Sequence, residues 1–236
     1  MDRGAVLAAL RARVARIGGV AERPEAPSIS LCPEMDRELG GGLPRAALHE
    51  VLSGTEGQGS GAAAGFAALL LARSGGTVFW IARDPDAWPP GLARFGLPPS
   101  RLIVARPGNG TDALWAMEEA LRCPAVSGVL LVSERPDPTA MRRLQLAAET
   151  GGGIGLLLRE SESEEGPALA TTRWRVTGRA GGRPNDLGDP QWSLELLRAR
   201  GGRPARWTVT WRVSSEALTV EGMEEEAAAP RRARRV

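Results

Sequence analysis

The 236-residue chain contains no lysine, and all 30 of its basic residues are arginine. That absence removes the ammonium group with which a standard phosphate loop grips the β- and γ-phosphates of a nucleotide. Tyrosine is also absent, histidine occurs once and cysteine twice. His49 has no second His or Cys near it with which to hold a metal, and no serine-centred nucleophile motif is present. It reads as a structural or surface residue, and neither a catalytic centre, a metal site nor a bound cofactor is expected. Cys32, in a predicted loop, and Cys123, at a predicted helix end, read as free thiols in a reducing cytoplasm. No apolar run approaches the roughly 18 residues that span a bilayer, so a soluble, cytoplasmic protein with no membrane partner is expected.

What is present fits one main domain: 42% of residues are hydrophobic and 25% charged. The first 17 residues are rich in Arg and Ala, as a transit peptide is, but Leu7, Leu10, Val14 and Ile17 are spaced by three and four. That spacing predicts a short amphipathic helix, a candidate contact with a second copy or with a partner. Gly18, Gly19, Pro24, Pro27 and Pro33 then mark a linker, so residues 1–34 are assigned to helix and linker, and the core is expected to begin near Met35.

From there short apolar runs alternate with helical stretches. Strands are predicted at 47–52, 77–82, 102–105, 128–133 and 155–158, and helices at 62–73, 88–95, 111–122 and 138–150. Strands apolar on both faces, separated by helices, predict an α/β fold with a mostly parallel central sheet. The grammar changes after Leu158. Glu160, Glu162, Glu164 and Glu165 lie in a predicted acidic loop. Apolar residues then alternate with period two: Trp174 and Val176; Trp192, Leu194 and Leu196; Trp207, Val209, Trp211 and Val213. These are expected to be antiparallel strands that extend the sheet, within a domain running over 35–221. Residues 222–236, from a glutamate run to Arg231, Arg232, Arg234 and Arg235, are expected to form a disordered tail.

The segment Gly54-Thr55-Glu56-Gly57-Gln58-Gly59-Ser60-Gly61 lies between a predicted strand and helix. Gly54 and Gly59 have the spacing of a phosphate loop, GxxxxGK[ST]. Ser60 occupies the lysine position and Gly61 the Ser/Thr position that holds magnesium. A backbone nest and helix N-terminus alone favour an anion by roughly 0.3–1 kcal/mol, about 2 at most when partly buried. That holds a sulfate weakly and does not make an ATPase. The later strand ends in Ser133, where such enzymes place a magnesium-associated Asp. Asp84 and Asp86 flank Pro85 and read as turn residues.

The run Met35-Asp36-Arg37-Glu38-Leu39-Gly40-Gly41-Gly42-Leu43-Pro44, followed by His49-Glu50-Val51, resembles the approach to the phosphate loop in RecA-like recombinases. Ala113-Leu114-Trp115-Ala116-Met117-Glu118-Glu119-Ala120-Leu121, Arg142-Arg143-Leu144-Gln145-Leu146-Ala147-Ala148-Glu149 and Thr172-Arg173-Trp174-Arg175-Val176 are similar to the inducible mutagenesis protein A family, ImuA. The resemblance covers about residues 35–213. It implies a RecA-like accessory factor, without nucleotide chemistry, of the SOS-induced bacterial translesion cassette. It would act beside ImuB, a polymerase-like protein lacking catalytic residues, and an error-prone C-family DNA polymerase. Contact with RecA, with single-stranded DNA and with a second copy is compatible with it. Two alternatives are an ATP-dependent RecA-type DNA-binding protein with arginine replacing lysine, and a cell-division inhibitor of the SulA type. Arg73 and Arg135 lie too far along the chain to replace the missing lysine locally.

Between Arg173 and Arg212, nine arginines stand against Asp186, Asp189 and Glu195, nine against three. Arg173, Arg198, Arg200, Arg206 and Arg212 are therefore candidate contacts for DNA or for a partner. By the resemblance, Arg198 and Arg200 match paired basic residues that reach a neighbouring subunit's ATP, and their spacing places both on one face of a strand. The other reading is an exposed hairpin shoulder. The tryptophans flanked by these arginines suggest base stacking, but strand parity argues for packing: Trp207, Val209 and Trp211 share one face, Arg206, Thr208, Thr210 and Arg212 the other.

Overall fold

The computed structural model describes residues 28–54, 59–83, 87–133, 136–159, 169–179 and 188–224. Leu7, Leu10, Val14, Ile17, Asp84, Asp86, the glutamates from 160 to 165 and most of the C-terminal tail lie outside them. A two-stranded ribbon joins β1 (Ser28–Ile29) to β2 (Leu43–Pro44). The main strands are β3 (Ala47–Ser53), β4 (Thr77–Ile81), β5 (Leu102–Ala105), β6 (Val126–Val132), β7 (Ile154–Arg159), β8 (Thr172–Arg179), β9 (Gln191–Ala199), β10 (Ala205–Arg212) and β11 (Ala217–Glu224). The helices are α1 (Pro33–Leu39), α2 (Gly59–Arg73), α3 (Pro89–Ala93), α4 (Gly110–Arg122) and α5 (Pro138–Gly151).

The nine strands form one sheet in the order β11-β10-β9-β8-β3-β7-β6-β4-β5. All pairings from β8 to β5 are parallel, and β8, β9, β10 and β11 pair antiparallel in succession. This is a RecA-like α/β core with a C-terminal antiparallel extension. β8 itself corrects the expectation of a wholly antiparallel addition, because it runs parallel to β3 and only its other edge is antiparallel. β3 and β7 are buried along their whole length, as strands covered on both faces must be.

The two faces carry separate cores. Helices α1, α2 and α3 lie with Val51, Trp80, Leu130, Leu156 and the C-terminal tryptophans, while α4 and α5 cover Leu48, Ile81, Val129, Leu131 and Leu157. Helix α2 is buried from Phe66 to Leu71, as expected of a helix apolar on all sides. Phe66 lies 5.4 Å from Trp174 and 6.0 Å from Trp192, and Trp174 lies 6.1 Å from Trp207. The extension is thus held to α2 by aromatic packing. Helices α4 and α5 start at capping side chains: Asn109 accepts from the Asp112 N–H at 2.9 Å, and Asp137 accepts from Thr139 and Ala140.

Two boundaries shift. Ile29, Leu31 and Cys32 are buried, so the packed core begins before Met35, and residues 28–34 are not linker. Arg73 ties this strap down by donating to the Ser30 and Leu31 carbonyls at 2.7 and 2.5 Å, and Asp36 accepts from the Leu31 N–H at 2.8 Å. At the other end β11 extends to Glu224, past the expected end of the domain at 221.

Arg101 closes the C-terminus of α2. Its guanidinium donates to the carbonyls of Ala72, Gly75 and Gly76 at 3.0, 2.6 and 2.7 Å, in the last turn of the helix and the turn that follows it. Replacing Arg101 with alanine is expected to lower stability by about 2 kcal/mol, since several charge-assisted bonds are lost at once. Urea denaturation measures it. A loss under about 0.5 kcal/mol, the range of an ordinary surface change, would show that water substitutes for the side chain.

Candidate functional site

Strand β3 lies between β7 and β8, while α2 carries the chain from β3 to β4 on the far side of β7. This is a switch in strand order, and the carboxyl end of such a strand is where open α/β sheets bind ligands. Gly54, the first glycine of the loop, occupies that point. Its N–H donates to the Val176 carbonyl at 2.8 Å. A Cβ on Gly54 would stand 2.0 Å from the Thr177 hydroxyl. Close approach of β8 therefore requires glycine there whether or not a phosphate binds.

Gly61 differs. It is exposed, and a Cβ there would meet nothing within 4 Å. Packing leaves room for the missing hydroxyl, so glycine at this position is not imposed by the fold. Gly59 and Ser60 open α2. Ser133 follows β6, with its N–H donating to the Leu158 carbonyl at 3.2 Å. Gly54, the start of α2 and Ser133 thus stand at the carboxyl ends of the parallel strands, without a lysine, a magnesium-binding hydroxyl at 61 or a strand-end carboxylate at 133. Among the described residues no cluster of His, Cys, Asp or Glu could hold a metal ion, and no helix is long and apolar enough to cross a membrane.

The five arginines do not form one exposed face. Arg173 is buried and donates through Nε to Glu50 Oε2 at 2.5 Å, so it is withdrawn as a surface contact. Arg159 Nη1 lies 3.8 Å from the other oxygen of Glu50, and all three side chains are buried. Arg206 pairs with Glu195, which Arg175 also reaches at 2.7 Å. Arg212 pairs with Asp189 and Glu221 at 3.4 and 3.3 Å. These acids reduce the charge that the sheet face presents to a polyanion.

Arg198 and Arg200 are exposed at the far end of the sheet. A bulge in the β8–β9 pairing places Arg198 opposite Arg173, and β9 ends at Ala199, so Arg200 stands in the turn rather than beside Arg198 on one strand face. Ala199 pairs with Thr172, the first residue of β8, whereas the phosphate-loop position follows Ser53, paired with Val176. The arginine turn and Gly54 therefore lie at opposite ends of β8. The turn is held rigidly: the Arg200 N–H donates to the Thr171 carbonyl at 2.9 Å, and the Arg203 N–H to the Glu38 carbonyl at 3.1 Å.

Protein ImuA from two strains of Caulobacter vibrioides is 40% identical over 185 residues, 71% of this chain and 76% of that protein. The chain belongs to the ImuA family. It is also similar to protein RecA of a Picosynechococcus species, at 29% identity over 120 residues, covering 51% of this chain and 34% of that protein. No protein-family model matches the chain. For this ImuA-family chain, the missing signals were Glu50 and Arg203. A charge inside the apolar run 47–52 implies a buried partner, and Arg203 follows a Gly-Gly turn that reads as mere punctuation.

Proposed function

We propose that this ImuA-family chain is a non-catalytic, cytoplasmic, RecA-like adaptor of SOS-induced mutagenic translesion DNA synthesis. In this reading it acts with an ImuB-like protein and an error-prone C-family DNA polymerase. The observation that carries it is the step from β3 to α2, where strand and helix follow in the RecA-type order while Ser60, Gly61 and Ser133 stand in the sequence positions of the groups that handle phosphate and magnesium. What the fold keeps is surface. Arg198 and Arg200, on a clamped turn, are the positions this reading assigns to a partner. Single-stranded DNA, RecA and a second copy are further candidate contacts.

Calorimetric titration with Mg-ATP is expected to give no micromolar binding. A pull-down from DNA-damaged cells is expected to recover the ImuB-like protein. A one-to-one, magnesium-dependent ATP isotherm would overturn the adaptor reading in favour of a nucleotide-dependent one. Recovery of division proteins without any polymerase component would favour the SulA-like alternative.

A further inference from the structure

The sheet has two open edges, and they are built differently. β11 carries Glu221, which pairs with Arg212, and its ladder with β10 is interrupted by a bulge at Thr208/Val209. Charge and irregularity are the usual protections of an exposed edge. β5, at the other edge, is Leu102-Ile103-Val104-Ala105, with no charge, no proline and an uninterrupted register against β4. Ile103 is 44% exposed and Val104 41%. They lie on opposite faces of the sheet, Ile103 beside Phe79 and Val104 beside Trp80. The Ala82 N–H donates to the Ala105 carbonyl at 3.2 Å, so Ala105 and Ile103 turn their backbone groups towards β4, and Leu102 and Val104 turn theirs away. Among the described residues no strand receives them.

We infer that β5 is a dimer interface, at which two copies of this chain pair β5 antiparallel about a two-fold axis centred on Ile103 and join their nine-stranded sheets edge to edge. Opposite residues of an antiparallel pair share a face, and a two-fold axis normal to the sheet keeps each face on its own side, so the strand must meet itself at a residue and not between two. Centring on Ile103 sets Ile103 against its own copy and Leu102 against Val104, so each exposed side chain gains an apolar neighbour. Leu102 and Val104 also exchange the hydrogen bonds that β4 does not take. Centring on Val104 instead would set Leu102 against Arg106. Like charges stay apart, since Arg101 would face Ala105 and Arg106 would face Ser100 of the second copy. The other open edge is a poor occupant. β11 would bring Glu221 and its bulged ladder against the apolar strand, and a β5–β11 contact would repeat without closing. So short a pairing falls at the low end of interface size, so association is expected on the order of 10 µM. β9 stands six strands from β5 in the sheet order, so the pairing covers the arginine turn of neither copy. An adaptor with two partner sites follows; that consequence rests on the adaptor reading, and the pairing itself does not.

The test uses the full chain. Light scattering from about 1 to 100 µM, a range that brackets the weak association expected, should show the mass rising from 24.9 kDa towards twice that and no further. Val104→Lys, at an exposed edge position, should hold the mass at one chain throughout, with an unchanged melting curve. Ile103→Cys, with the exposed Cys123 replaced by serine, should cross-link to its own copy under mild oxidation about tenfold faster than Val104→Cys in the same background. The paired Ile103 Cα atoms would stand about 4.5 Å apart, within disulfide reach, and Val104 would be offset diagonally from its copy by about 7–8 Å. A single-chain mass at every concentration overturns the pairing. So does a dimer that survives Val104→Lys, a mass that grows past two chains, or equal cross-linking at the two positions. The cysteine pair decides the matter even where the lysine variant fails to fold. None of these readouts uses ATP or the ImuB-like protein, so failure here and failure of the adaptor reading are distinguishable.

Discussion

Replacing Glu50 with glutamine is expected to destabilise the fold by about 3–5 kcal/mol, the scale found when one partner of a buried ion pair is removed. Glu50 is fully buried in β3, with Arg173 of β8 on one side and Arg159 of β7 on the other. Glutamine preserves the shape and removes the charge that faces two buried guanidinium groups. Since a domain has only about 5–15 kcal/mol in total, this single change uses a large share of the stability. Replacing Glu50, Arg159 and Arg173 together with apolar residues of similar volume should recover much of the loss, because no buried charge then lacks its counterpart. Urea denaturation of the three proteins measures both effects. A cost below about 1 kcal/mol for Glu50→Gln would mean that neither arginine depends on the carboxylate.

Strands β3 to β7 were legible because each is largely apolar and each connection between them carries a helical stretch. Direction was not legible for β8. Trp174 and Val176 reveal a half-buried strand, but a period of two is the same whichever way the strand runs. The connection decides it: the chain must pass from the end of β7 at Arg159 to the start of β8 at Thr172 on the far side of β3. The strap before Met35 was hidden by its prolines. It is ordered by Asp36, five residues on from Leu31, and by Arg73, a long-range contact that no local pattern encodes.

The arginines show the same limit. Parity placed Arg206 and Arg212 correctly on the face opposite the tryptophans, and the structure buries Trp174, Trp207 and Trp211 as parity required. Parity could not reveal which acids share that face. Glu195 lies in register with both Arg175 and Arg206, and Glu50 with Arg173. Sheet order and register, properties of the whole fold, thus decide which arginines remain open to a partner.

Acid should weaken this protein through His49. The ring is fully buried, with Nε2 2.9 Å from the Pro44 carbonyl and Nδ1 2.8 Å from the Thr172 hydroxyl. A carbonyl can only accept, so Nε2 carries the hydrogen and Nδ1 accepts from Thr172. Thr172 in turn accepts from the Trp174 indole N–H at 2.9 Å, completing a chain of bonds with one direction. A second proton on the ring would face a hydroxyl already committed as donor. Burial is the main cause that pushes the imidazole down to about 4, while the Pro44 bond acts in the opposite sense. Between pH 6.5 and about 4 the unfolded chain binds a proton that the folded chain refuses. The stabilisation is therefore complete above pH 6.5, declines as the pH falls, and is lost below about pH 4, for a total of about 3 kcal/mol. Denaturation curves for wild type and His49→Gln across pH 7.5 to 4 isolate this group from the carboxylates, which titrate in both proteins. The substitution should be most costly at pH 7.5, and its cost should shrink steadily towards pH 4. A difference between the two proteins that stays constant across this range would mean that His49 keeps its ordinary affinity for the proton and serves the fold by shape alone.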